Sequence, residues 1–193
     1  MDHADHVRLL AGGVPATGGT WADLGAGDGA FTLALAELIG PAGVIHAVDR
    51  DRGALRELER HVARDAATVH TLVADFTRPL ALPPLDGIVM ANSLHFVRDK
   101  RPVLGRVREM LRPDGRLLLV EYDVDDGNPW VPHPLSFATW KSLAEECGFA
   151  GTRQLASVPS RFLRRIYSAE SLVSRHEPSS PPARPADHRS RTS

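Results

Sequence analysis

The chain has 193 residues, 42% of them hydrophobic, and a formal net charge of −1 at pH 7. That is enough apolar material for one sizeable core, and the charge balance argues against a nucleic-acid or membrane footprint. The single cysteine, Cys147, excludes an internal disulfide and points to a reduced compartment. The sequence shows neither a basic-then-apolar leader nor a run of 18 apolar residues, so a cytoplasmic location is expected.

In chain order, residues 1–19 are a short N-terminal segment. Residues 20–25 (TWADLG) read as a first strand, and 30–40 as a helix closed by Gly40 and Pro41. Residues 43–49 (GVIHAVD) are a second strand. Residues 52–64 are a helix with Leu55, Leu58 and Val62 on one face, and Asp51 is placed to cap it. Strands follow at 68–75 and 85–92, then a helix at 101–112 stopped by Pro113-Asp114-Gly115, a strand at 116–122 and a helix at 136–148. Residues 152–159 and 161–169 make a final pair of strands. The end of the chain, 174–193, is rich in Pro, Ser and Arg and has few apolar side chains, so disorder is expected there.

Strands that alternate with helices through short loops imply right-handed βαβ units. Their near-continuous apolar runs imply cover on both faces. The fold expected is therefore α/β, a doubly wound Rossmann-like sheet. In such sheets the ligand sits beyond the C-terminal strand ends, which singles out residues 23–29, Asp49, Asp75, Asn92 and the stretch after Val120.

The first of these stretches, "DLGAGDG" (23–29), places Gly25, Gly27 and Gly29 between strand and helix. Glycines there let a ligand approach the backbone, and the helix N-terminus turns free N–H groups toward it. A dinucleotide fingerprint is G-x-G-x-x-G; here the third glycine comes one residue early and an acid precedes the first. That spacing argues against an NAD-type oxidoreductase. No G-K-[ST] follows, which excludes a P-loop.

The acid-x-G-x-G-x-G pattern resembles the first motif of the class I S-adenosylmethionine-dependent methyltransferases, and the likeness runs in order from about Trp21 to Tyr122. It implies a seven-stranded sheet, mostly parallel with an antiparallel C-terminal strand, a methyltransferase domain over 20–173, and S-adenosyl-L-methionine as cofactor. On the same likeness, Gly25, Ala26 and Gly27 line the methionine part and Asp23 reaches its amino group. Asp49 stands 26 residues after Asp23 at the end of the second strand and suits a ribose diol. Arg50 replaces the usual apolar neighbour, and its stem is able to cover the adenine. Asp75 would bond the adenine amino group and Phe76 would wall the base. Asn92 is delivered to the face where the methyl group emerges.

The stretch Asn92-Ser93-Leu94-His95 lacks the N/D-P-P-aromatic motif of nucleic-acid amino-methyltransferases, which turns the expectation to a small-molecule acceptor methylated on O, N or C. His95 is the candidate general base, with a packed, hydrogen-bonded histidine as the alternative. The loop over 121–134 offers Tyr122, Trp130 and His133 as substrate-binding candidates. Its acids Glu121, Asp123, Asp125 and Asp126 favour either a cationic substrate or a merely solvated face. Trp140 walls the pocket or packs its helix. No clustered Cys/His spacing supports a metal site. Because only about 19 residues precede the first strand, the site is expected to be open. Cover would come from a homodimer or protein partner or from the segment after Tyr122, unless the substrate is large. A cofactor-binding partner subunit without its own activity is the competing class.

Overall fold

The computed structural model describes residues 1–63, 66–160 and 162–173. The tail at 174–193, the last residue of the helix expected over 52–64 and the first residue of the strand expected over 161–169 lie outside the described residues.

Seven strands form one sheet: β1 (Gly19–Leu24), β2 (Gly43–Asp49), β3 (Thr68–Val73), β4 (Leu85–Ala91), β5 (Leu111–Tyr122), β6 (Phe149–Pro159) and β7 (Arg165–Val173). Their order is β3-β2-β1-β4-β5-β7-β6. β7 alone runs against its neighbours, pairing antiparallel with β5 and β6. Five helices, α1 (His3–Ala11), α2 (Ala30–Ile39), α3 (Arg52–His61), α4 (Arg101–Met110) and α5 (Phe137–Glu146), flank the sheet.

The side-chain alternation of the strands divides the core into two layers. Leu24, Val48, Ile88, Met90, Leu117 and Leu119 face α4 and α5. Trp21, Ile45, Val89, Leu118 and Val120 face the other way, with Leu9 and Leu10 of α1 and Phe31 and Leu35 of α2. Both sets are needed because both faces are covered, which is why the strands read as unbroken apolar runs. Trp140 is fully buried in the first layer, so it packs α5 and does not wall the pocket.

Local chemistry sets the helix starts. Asp51 accepts the N–H groups of Gly53 and Ala54 at the head of α3, and Ser136 accepts that of Thr139 at the head of α5. α4 ends two residues before the expected boundary because Leu111 already pairs with Leu85; the register then shifts before Gly87 pairs with Arg116. β3 and β4 also end early, so Ala74, Asp75 and Asn92 leave the sheet as loop residues.

The N-terminal segment contains a helix that the sequence reading did not anticipate. Asp2 caps α1 by accepting the Asp5 N–H, and Leu9 and Leu10 are buried. The helix docks on α2, where the His6 ring lies 4.6 Å from that of Phe31 and His3 meets Glu37 at 2.7 Å. Among the described residues, no helix is long and apolar enough to cross a membrane.

Candidate active site

β1 lies beside β4, the middle strand of the sheet, and successive crossovers lead from β1 to opposite sides. The loop after it opens into the crevice expected of such a switch point. The N–H groups of Gly25 and Ala26 both donate to the Val48 carbonyl, which pins the loop to the end of β2. Gly25 and Gly27 play different parts. Gly25 has φ +86, and a Cβ there would collide with the Cβ of Ser93. Gly27 has φ +55, and a Cβ there would meet nothing within 4 Å. The second glycine thus faces open space that a ligand can occupy against bare backbone.

That space is a cavity of about 560 Å³. Gly25, Gly27, Asp49, Arg50, Asp75, Phe76 and Asn92 line it, together with Phe96 and Val97. Asp49 organises its floor: Oδ2 accepts the Gly27 N–H and Oδ1 the Asp51 N–H, each at 2.8 Å. A carboxylate oxygen has a second lone pair, so both keep capacity for a diol. Asp75 Oδ1 accepts the N–H and hydroxyl of Thr77 at 2.8 and 2.7 Å. These bonds hold its carboxyl below the usual range. Among the described residues, no hydrogen bond reaches its Oδ2. Asn92 adopts φ +51, and its Oδ1 is buried without a hydrogen-bond partner among the described residues.

Two expected cofactor residues stand back from the cavity. Ala26 is buried, and Asp23 is only 1% exposed. The Asp23 carboxylate accepts the Thr32 hydroxyl at 2.6 Å. Burial pushes its pKa up to about 6 against the pull of that bond, and the charge of Asp49 adds to the rise.

Beyond the cavity, His95 is held from below. Glu121 is fully buried at the end of β5. Its Oε1 and Oε2 lie 2.9 and 3.0 Å from His95 Nδ1. The same carboxylate accepts the His95 N–H at 3.1 Å and the Tyr122 N–H at 3.2 Å. Toward an ionised carboxylate Nδ1 is the donor, so in the neutral ring the lone pair sits on Nε2; the His95 ring itself is buried. No hydrogen bond reaches Nε2 among the described residues. His95 does not itself line the cavity, but Ser93 before it and Phe96 after it do.

The loop after β5 is tied down by the groups that gave it its acidic character. Asp123 accepts the Phe137 N–H, and Asp125 accepts the N–H and hydroxyl of Ser136, all at 2.9 Å. Lys100 is mostly buried and donates to the carbonyls of Val97 and His133 at 2.8 Å each. Burial lowers its pKa, and the charge of Glu121 pulls it back. Among the described residues, no group of three or more His, Cys, Asp and Glu is placed to hold a metal ion.

Residues 22–117 match the family model described as a methyltransferase domain. The ubiquinone/menaquinone biosynthesis C-methyltransferase UbiE of Pasteurella multocida is 31% identical over 104 residues, covering 52% of this chain and 38% of that protein. The reducing polyketide synthase grgA of a Penicillium species is 29% identical over 94 residues, 39% of this chain and 4% of that protein. The shared stretch is thus a minor part of each of these relatives. The crystal structure of an arsenic(III) S-adenosylmethionine methyltransferase from Chlamydomonas reinhardtii superposes with a TM-score of 0.68 at 22% identity, covering 86% of this chain and 66% of that one. This last likeness shows the fold alone.

The chain belongs to the class I S-adenosylmethionine-dependent methyltransferases. The cavity of this methyltransferase fits the cofactor on its own terms: a glycine whose missing Cβ leaves room, an orphaned amide oxygen on Asn92, and two carboxylates with spare acceptor capacity. Of the three acceptor-side candidates, Tyr122 lies beside His95, with ring centroids 6.1 Å apart. His133 reaches the site through its backbone, donating its N–H to the His95 carbonyl at 3.0 Å. Trp130 is 73% exposed and lines no part of the cavity. The sequence reading missed the pairing of His95 with Glu121 and the role of Lys100. Glu121 was visible as one more acid at a strand end; Lys100 carries no local signal.

Proposed function

We propose that this methyltransferase transfers a methyl group to a small-molecule acceptor, on O, N or C, whose nucleophile arrives protonated. The observation that carries this reading is the buried Glu121 carboxylate on His95 Nδ1, which supports Nε2 as the proton acceptor of a residue flanked by the cavity-lining Ser93 and Phe96. When bound, S-adenosyl-L-methionine would supply an electrophilic methyl carbon to the acceptor's nucleophile. His95 Nε2 takes the acceptor's proton, and Glu121 stabilises the imidazolium so formed. Gly25 and Gly27 would bring backbone against the methionine part, Asp49 would receive the ribose hydroxyls, and Asp75 and Phe76 would hold the adenine, with the Arg50 stem beside it. Asn92 Oδ1 takes a donor from the ligand. Asp23 acts from behind the loop, as a buried charge near the ammonium group. The curated UbiE relative is a C-methyltransferase, and a carbon acid is one acceptor that needs such a base.

Calorimetric titration with S-adenosylmethionine, S-adenosylhomocysteine and NAD tests the cofactor half. Micromolar binding of the first two, weakened at least tenfold by Asp49→Ala, is expected. No binding of either would overturn the assignment. A turnover screen with His95→Gln then tests the base. A loss of roughly 10²–10⁴ in kcat with unchanged cofactor affinity is expected; unchanged turnover would refute the base.

A further inference from the structure

The sheet has two edges, and they are built differently. β6 is defended. Its pairing with β7 is interrupted by register shifts after Ala150 and after Gln154, and it ends at Pro159, which has no N–H. α1 lies against it, and Arg153 donates to the Gly12 carbonyl. Bulges, proline, charge and a covering helix are the means by which an edge strand avoids further pairing.

β3, at the other edge, has none of them. Its residues, Thr68–Val73, pair with β2 without a shift in register and include no proline, glycine, lysine, arginine or acid. Leu72 and Val73 are exposed. A regular, uncharged, apolar edge is a template for another strand.

The direction of the backbone shows which groups are free. The Ala74 N–H donates to the Asp49 carbonyl on β2. Along a strand the N–H and C=O groups of successive residues point to alternate sides. Thr68, His70 and Leu72 therefore turn toward β2 with Ala74, and Val69, Thr71 and Val73 turn outward. Among the described residues, no second strand pairs with β3, and no turn or loop backbone group bonds these three residues.

We propose that β3 pairs antiparallel with β3 of a second copy of this chain, about a two-fold axis at Thr71. This does not depend on the acceptor chemistry. Centred there, Val69 faces the partner's Val73, Thr71 faces the partner's Thr71, and Val73 faces the partner's Val69. Each pair exchanges two hydrogen bonds, so every outward N–H and C=O of the strand is used. A register centred on His70 would instead set Val73 against the partner's Ala67, which is buried. The side chains suit the same register: Val69 and Val73 pair on the α3 face, and Leu72 and His70 on the other. On the α3 face Thr71 donates its hydroxyl to Glu59, and exposed Arg56 and Arg60 stand near Glu59 on the same helix, so the helices brought together carry both signs of charge. The occupant is a second copy because the edge is its own complement, and because an isologous pair closes. Chain growth from β3 onto β6 is barred by the defences of β6. The joined sheet doubles the seven strands, and the two cofactor cavities open at its opposite ends.

Sedimentation equilibrium of the full chain at micromolar concentrations is expected to give twice the chain mass of 21.0 kDa. Thr71→Pro removes an outward N–H and no bond to β2. Val73→Asp sets a carboxylate beside the partner's Val69. Each is expected to weaken the dimer at least tenfold while far-UV circular dichroism stays that of the folded chain; should Thr71→Pro unfold, Val73→Asp decides. Register is read by oxidation in a Cys147→Ser background. Thr71→Cys meets its copy with about 5.5 Å between Cα atoms, within disulfide range, and is expected to cross-link. Thr68→Cys stands about 20 Å from its copy along the strand and is expected not to. A monomer at all concentrations, a dimer indifferent to Val73→Asp, no cross-link in Thr71→Cys, or cross-linking in Thr68→Cys instead would each overturn the proposal.

Discussion

Asp23 offers the sharpest physical test, because its burial has a price that depends on pH. The carboxyl is 1% exposed, and its pKa rises from 3.8 to about 6 on folding. A raised pKa means that the folded chain holds the proton more tightly than the unfolded one. The stability this contributes is fully present below pH 3.8 and is lost as pH rises through about 6. At about 1.4 kcal/mol per unit the loss is about 3 kcal/mol in all, most of it between pH 4 and pH 8. Asp23→Asn is nearly isosteric, and its amide oxygen still accepts the Thr32 hydroxyl, but it does not titrate. The assay is urea unfolding of both proteins across that range. With a slope of about 2–3 kcal/mol/M, the midpoint of the variant should gain about 1–1.5 M on the wild type from acid to alkaline pH. Curves that stay parallel would refute the argument, since they would mean that the carboxyl is solvated in the folded chain. The variant should also bind S-adenosylmethionine more weakly at pH 8, an expected cost of removing a charge kept for function.

Gly25→Ala should lower stability by about 2–4 kcal/mol, from overpacking against Ser93 and a left-handed backbone, read as a shift in the urea midpoint. Gly27→Ala meets no protein atom within 4 Å, so it should cost only about 1 kcal/mol of stability while cutting cofactor affinity at least tenfold by calorimetry. Glu121→Gln should release the His95 tautomer. Imidazole ¹⁵N spectra should show Nδ1 protonated in the wild type and a mixture in the variant; a wild-type spectrum with the proton on Nε2 would contradict the site geometry. Trp140→Ala should cost about 3–5 kcal/mol of stability and leave cofactor affinity unchanged, because the ring is core and not pocket wall.

The order of strands and helices, the glycine turn and the carboxylates at the ends of β2 and β3 could all be read along the chain. Each depends on neighbours a few residues apart: apolar runs covered on both faces, an acid before alternating glycines, Asp51 ahead of α3. Parallel crossovers then oblige those strand ends to meet at one edge of the sheet, so Gly27, Asp49, Asp75 and Asn92 converge by topology alone. What decides chemistry at the other half of the site is not local. Asp23 turns inward to Thr32, Glu121 comes up beneath His95 from the neighbouring strand, and Lys100 bridges two loops. Glu121, Asp123 and Asp125 of the 121–134 loop looked available in one dimension and are engaged in three. α1 was invisible because a short polar helix earns its stability from the α2 surface it covers. Periodicity and turn chemistry are properties of a segment; burial, partner and protonation state belong to whatever the fold packs against it, and only tertiary structure determines them.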